Sequence, residues 1–137
     1  MLKESMAYAT LPASDLARAR AFYENKLRLV PIDGGEVSGG VFFHLRDQVL
    51  FVYETAAPRG GNTALSFVVD DLDAEMRELR DRGIVFEDYD QPGLKTEDGV
   101  AEFEGMRAAW FKDSEGNILN LGQPTEEQLR MMADVLG

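Results

Sequence analysis

A shift of 56 residues lays one half of this chain on the other, and that self-similarity narrows the possible folds more than any other feature. Asp15-Leu16 falls on Asp71-Leu72, and the apolar run from Met6 to Ala13 falls on Asn62 to Val69. Leu16, Ala19, Tyr23 and Leu27 recur at helical spacing after Ser14-Asp15. Leu72, Met76 and Leu79 do the same after Asp70-Asp71, with Gly83 as a left-handed stop. Downstream, "FFHLRDQVLFVYE" and "AWFKDSEGNILNLG" each read as strand, turn and strand, the second with the longer turn. Each half is therefore expected to run β-α-β-β-β. A unit of this size has one apolar face and cannot bury it alone, so two copies are expected to share one domain.

These signals predict module one over residues 6–57 and module two over 62–122, within a single domain spanning 1–137. The turn-rich linker Ala57-Pro58-Arg59-Gly60-Gly61 separates them. Thr125-Glu126-Glu127-Gln128 reads as a capping box after Pro124, and Leu129, Met132 and Leu136 form a stripe, which predicts a short C-terminal helix over 125–136.

The totals exclude several kinds of chemistry. With no cysteine there is no disulfide framework, thiolate metal site or cysteine nucleophile. A formal net charge of −11 argues against nucleic acid, which needs clustered Lys and Arg to displace counterions. No apolar run is long enough to span a bilayer, and Met1-Leu2-Lys3-Glu4-Ser5 lacks the basic-then-apolar order of a signal peptide, so the expectation is a cytoplasmic protein with no membrane partner. His44 is the sole histidine. A strand histidine is more often structural than a proton-transfer group, and its side of the strand depends on how Arg46-Asp47-Gln48 turns.

"SDLARARAFYENKL" and "WFKDSEGNILNL" resemble the signature segments of the vicinal oxygen chelate superfamily, which includes glyoxalase I, extradiol dioxygenases and bleomycin-resistance proteins. Asp15-Leu16 followed by Phe22-Tyr23 matches the first-helix pattern. Phe111, Asp113 and Gly116-Asn117 before an apolar strand match the last hairpin. The glycine usual after the first helix is replaced here, since Leu27 is followed by Arg28. The resemblance implies an α+β fold in which two tandem β-α-β-β-β modules form a cupped, curved mixed sheet around one site, with a homodimer as the expected assembly.

In metal-using members of that superfamily, His, Gln or Glu ligands sit on the first and last strands of each module. Carried over by register, those positions are Tyr8, Ala64, Phe51 and Asn120, and none matches the ligand pattern. A divalent cation needs several converging carboxylate or imidazole donors, so no metal and no other cofactor is expected. Glu54 is a possible substitute, but strand alternation turns it away from the Phe51 side.

By the same register Tyr8, Thr10, Phe51, Tyr53, Ser66 and Asn120 share the concave face. Either they line an aromatic pocket with polar anchors or they fill a collapsed cup. The pocket is favoured because Tyr8, Tyr53 and Asn120 are costly to bury without partners. Trp110 joins this face if the turn takes five residues and Lys112 pairs with Ile118, which makes it a candidate for stacking on a ligand.

One segment stands apart in charge. Glu87, Asp88, Asp90, Glu97, Asp98, Glu102 and Glu104 are accompanied only by Lys95. With Pro92-Gly93 and Asp98-Gly99 this stretch is expected to fold back as a loop with a short strand, either as a solvated face or as a lid that draws in cations. The functional expectation is a metal-independent protein that binds or sequesters an aromatic or cationic small molecule. Its rival is a lyase, isomerase or dioxygenase-like enzyme with an unrecognised metal or a metal-free mechanism. A third possibility is a partner domain with no ligand.

Overall fold

The computed structural model describes residues 2–4, 8–56 and 61–136. The expected strand start at Met6-Ala7, linker positions 57–60 and the side chains of Met132 and Leu136 lie outside the described residues. The chain divides into two compact units, Met1–Asn62 with the turn Asp113–Asn117, and Thr63–Lys112 with Ile118–Gly137.

The first unit runs β1 (Ala9–Ala13), α1 (Leu16–Ala21), β2 (Val30–Val37), β3 (Gly40–Leu45) and β4 (Gln48–Glu54). Its sheet order is β1-β4-β3-β2, with β1 parallel to β4 and the other pairs antiparallel. The second unit runs β5 (Thr63–Val68), α2 (Leu72–Asp81), the two-residue strands β6 (Asp90–Gln91) and β7 (Leu94–Lys95), then β8 (Val100–Phe103), β9 (Met106–Lys112), β10 (Ile118–Gln123) and α3 (Glu126–Leu136). Its main sheet is ordered β5-β10-β9-β8, again with the outer β5 parallel to β10. The β-α-β-β-β order holds in both, the second carrying the small β6–β7 hairpin after its helix.

The repeat reaches individual hydrogen bonds. Asp15 and Asp71 both cap their helices from extended backbone, and each side chain accepts at 3.1 Å from the backbone N–H three residues on, Arg18 and Ala74. The inner strand beside β1 or β5 supplies a second acceptor in each unit. Glu54 Oε2 takes the Leu16 N–H at 3.0 Å, and Gln123 Oε1 takes the Leu72 N–H at 2.8 Å. Glu54 is thus bonded to the start of α1, and it pairs with Ala13 at the end of β1, on the opposite side of β4 from Phe51.

Helix α1 widens into a π-helical turn over Phe22–Lys26, and the chain leaves it through Arg28 at φ 61°. The missing glycine has therefore not removed the left-handed exit, which Arg28 adopts at a steric cost. In the second unit Gly83 fills the corresponding role at φ 88° without that cost. The capping box on α3 is reciprocal: Thr125 N–H donates to Gln128 Oε1 at 2.9 Å and Gln128 N–H to Thr125 Oγ at 3.2 Å.

One face of each sheet carries the core. In the first unit Leu11, Ala13, Val41, Phe43, Leu50 and Val52 are buried with Ala19, Phe22 and Tyr23 of the helical segment. In the second, Ala109, Phe111, Leu119 and Leu121 are buried with Leu72, Met76 and Leu79 of α2 and with Ile84 and Phe86. Burial at about 25 cal/mol per Å² makes these two faces the main favourable term in folding.

The turn Asp113–Asn117 is polar and yet buried. Asp113 Oδ1 accepts from the Glu115 and Asn117 N–H groups at 2.8 Å, while its Oδ2 accepts from Tyr23 Oη at 2.7 Å and Asn117 Nδ2 at 2.8 Å. Burial first, then the Asp113 carboxylate, pushes the Tyr23 phenol far above its ordinary range, so it stays a donor. Asn117 Nδ2 also donates to Pro12 O at 2.8 Å. Glu115 Oε1 accepts from the N–H groups of Ser14 and Asp15 at 2.8 and 2.9 Å, and Arg18 Nε donates to Oε2 at 2.7 Å. The Arg18 guanidinium is the largest cause holding the Glu115 carboxyl down at about 2.

Because that carboxyl titrates lower when folded, its stabilisation is fully present above its ordinary value of 4.5 and is lost as the pH falls toward 2. Denaturant titrations of Glu115→Gln should show a loss of about 2 kcal/mol at pH 7. The variant should also lose less stability than the parent between about pH 5 and pH 2. Arg28→Gly should raise stability by about 1 kcal/mol in the same assay, since glycine reaches the left-handed exit without strain.

Candidate functional site

Each sheet keeps a second face, turned away from its helix. In the first unit this face holds Thr10, Phe42, His44, Phe51 and Tyr53, because strand alternation sends these side chains opposite to Leu11, Val41, Phe43, Leu50 and Val52. Tyr8, just before β1, joins them and is 48% exposed. Phe42 and Phe51 stack at 4.3 Å between centroids, and Phe51 and Tyr53 lie nearly parallel at 6.1 Å. Tyr8 stands edge-on to Phe42 at 5.5 Å and to Phe51 at 6.5 Å. Four aromatic rings thus form one cluster on a partly solvated sheet face, where core packing alone would place none.

In the second unit Ser66, Asn120 and Trp110 lie in register across β5, β10 and β9. Lys112 pairs with Ile118 around a five-residue turn, and that spacing sets Trp110 beside Asn120 and opposite to buried Phe111. Asn120 is 9% exposed, and its Nδ2 donates to Ala109 O at 3.3 Å. Trp110 Nε1 donates to Thr63 Oγ at 3.2 Å, and Tyr89 meets its ring edge-on at 5.8 Å.

The two rows correspond: Thr10, Phe51 and Phe42 occupy the strand positions in the first sheet that Ser66, Asn120 and Trp110 occupy in the second. All seven residues expected from sequence lie on these helix-free faces, four in the first unit and three in the second. Phe42 and Tyr89 were not among them. Phe42 becomes visible by counting back from Phe51 through a two-residue turn, in place of the five-residue turn of the last hairpin. Tyr89 lies in the acidic segment, where no periodicity marks it.

That segment corrects one expectation. Asp88 organises it, its Oδ1 accepting from Thr96 Oγ at 2.7 Å and Gly99 N–H at 2.9 Å. These bonds, the Thr96 contribution being the larger, lower its pKa. Asp98-Gly99 and Glu104-Gly105, all at positive φ, make the tight turns on either side of β8. Glu97, Asp98 and Glu102 line a groove of about 800 Å³ against α2, together with Arg77, Arg80 and Arg107. Glu102 pairs with Arg107 on the α2 side of the sheet, opposite to Trp110. Its carboxylate, and those of Glu97 and Asp98 in the same groove, therefore form no acidic lid over the Trp110 face.

Among the described residues no three His, Asp or Glu side chains lie close enough together to hold a metal ion. Tyr8, Ala64, Phe51 and Asn120 offer a phenol and an amide in place of carboxylate and imidazole, so these positions do not fit the metal that the superfamily's enzymes use. Among the described residues no helix is long and apolar enough to cross a membrane.

Paired β-α-β-β-β units with helix-free sheet faces define a tandem-module α+β protein. A sequence profile of the glyoxalase/bleomycin resistance protein/dioxygenase superfamily matches residues 5–121, and the chain belongs to that superfamily. None of the curated proteins matches it. Among solved structures, TnmS3, an antibiotic binding protein from Streptomyces sp. CB03234, is 21% identical with a TM-score of 0.67, covering 91% of this chain and 99% of its own. The fosfomycin resistance protein FosX from Listeria monocytogenes is 17% identical with a TM-score of 0.67, covering 91% and 97%. A lactoylglutathione lyase from Agrobacterium tumefaciens is 20% identical with a TM-score of 0.66, covering 88% and 93%. At these identities the likeness is one of fold.

The two faces of β9 give a stability test. Phe111→Ala should cost about 3–5 kcal/mol, the usual range for a fully buried ring. Trp110→Ala, on the partly exposed side, should cost less than half of that in the same thermal or denaturant assay.

Proposed function

We propose that this chain is a metal-independent binding protein for a planar aromatic small molecule. The observation that carries the reading is the cluster of Tyr8, Phe42, Phe51 and Tyr53 on a partly solvated sheet face. Rings held parallel at this spacing present a π surface on which a further flat ring stacks, each such contact contributing about 1 kcal/mol. Thr10 supplies a hydroxyl beside them. Ser66, Trp110 and Asn120 are the corresponding ligand contacts on the second sheet, with the indole as a stacking ring and the amide as a hydrogen-bond partner. The lack of fitting donors at Tyr8, Ala64, Phe51 and Asn120 supports binding without a metal. The resemblance in fold to an antibiotic binding protein supports a ligand of this kind.

A positive charge on the ligand adds less than a lid would have supplied. Glu97, Asp98 and Glu102 face the α2 groove, so these three give no local attraction at the Trp110 face, and the net charge of −11 draws cations at long range. That long-range term speeds association and is screened beyond about 8 Å at physiological salt. We take the protein to act as a homodimer in the cytoplasm, and light scattering of the purified chain tests the dimer.

Titration with ethidium, a planar aromatic cation, and with anilinonaphthalene sulfonate, an aromatic anion, reads binding through each dye's own fluorescence. Ethidium should bind, and Phe51→Ala should weaken it by about five- to tenfold. Elemental analysis after incubation with nickel, zinc, manganese and iron should find no stoichiometric metal. A metal at full occupancy, or no fluorescence response to either compound, would overturn the reading.

A further inference from the structure

Gly40 is the first residue of β3, in extended backbone outside the left-handed region. Extended backbone has no conformational need for glycine, and glycine weakens a strand through its greater freedom when unfolded. Its surroundings supply a different reason. A Cβ built at Gly40 would overlap the ring of Phe51, lying 2.5 Å from its Cε1. Phe51 pairs directly with Phe42, and Gly40 sits two residues back on the same strand and face. The Phe51 ring therefore reaches diagonally across the strand pair and lies down in the gap that the glycine leaves.

That gap sets the tilt of the whole cluster. With Phe51 down, its ring is within 27° of Phe42 and within 14° of Tyr53, so three rings share one orientation. A methyl group at position 40 meets Val52 O at 3.1 Å on its backbone side, and the free direction for relief is rotation of the Phe51 ring out of the gap. The ring then rises off the sheet toward Tyr8, which now stands edge-on to it. The parallel arrangement is lost while the strand and the core face beneath are left as they were.

We infer that Gly40 is the specificity-determining position of this face, selecting flat aromatic ligands over bulky ones by seating the Phe51 ring against the sheet. It acts through Phe51 and is a positioning residue. The inference rests on the reading above that a ligand contacts this face, and its test separates the two. Ethidium and tetraphenylphosphonium carry the same charge, but the first has a flat ring system and the second does not, so a change in their affinity ratio between variant and parent reports a change in the shape of the face.

In Gly40→Ala, ethidium affinity should fall about fivefold, the loss of one aromatic contact, while tetraphenylphosphonium binds as well or better. Thermal stability should stay level or rise, since alanine removes freedom from the unfolded chain. Aromatic proton shifts of Tyr8, Phe42 and Tyr53 should move, and those of Tyr23 and Phe43 on the core face should not. On a Phe51→Leu background the effect of Gly40→Ala on the ratio should vanish. An unchanged ratio in Gly40→Ala, or an equal loss of both probes, overturns the role of Gly40 while the parent's binding stands. If the parent binds neither probe, the ligand reading fails and the selectivity role falls with it. Unmoved aromatic shifts in the variant would refute the seating of Phe51 whatever the ligands do.

Discussion

The carboxylate of Glu115 is the constraint on which the first unit depends. It lies with its side chain 1% exposed at the tip of a turn, and it accepts two backbone N–H groups at the start of α1 together with the Arg18 guanidinium. A buried carboxylate without partners would be untenable, and a helix start without acceptors nearly so. Each solves the other's problem. Asp113 and Asn117 close the remainder of the network through Tyr23 and Pro12, so five consecutive turn residues replace what would otherwise be an apolar plug. This accounts for the pattern of Phe111, Asp113, Gly116 and Asn117: Asp113 receives the turn's N–H groups, Gly116 takes φ 85°, and Asn117 spans from the turn to β1.

What could be read from sequence was whatever local chemistry dictates. Asp15 and Asp71 announce their helices because an N-cap needs only a short acceptor and the three residues that follow it. The strand faces of Thr10, Phe51, Ser66 and Asn120 follow from period two once the helix starts are aligned. Turn length decided the rest. The turn at 113–117 takes five residues, the condition on which the sequence sets Trp110 beside Asn120. The two-residue turn at Arg46-Asp47 was left open, which hid Phe42 and the side occupied by His44, now seen on the same face as Phe42. The side taken by Glu102 is hidden for a related reason, since an acidic stretch has no periodicity until its tight turns fix which residues pair. The bond between Glu115 and Arg18 joins residues 97 apart, and no local rule reaches that far.

The two faces of each sheet differ in role. Core packing against α1 and α2 occupies one face, and the other is turned away from those helices. In this chain that second face carries Tyr8, Phe42, Phe51 and Tyr53 with Thr10 on the first sheet, and Trp110, Ser66 and Asn120 on the second. Three carboxylates of the acidic segment, Glu97, Asp98 and Glu102, lie instead with Arg77, Arg80 and Arg107 beside α2.

The assignment of the turn Asp113–Asn117 to the first unit has a consequence for how the chain is made. Ser14, Asp15 and Arg18 leave the ribosome about a hundred residues before the carboxylate that binds them. Until then the Ser14 and Asp15 N–H groups just before α1 are without Glu115, and Tyr23 is without Asp113. The N-terminal half cannot mature as an independent foldon during synthesis, because its last hydrogen bonds await a hairpin near the other end of the chain. The two halves repeat one plan, but the completed fold has made the earlier one wait for the later.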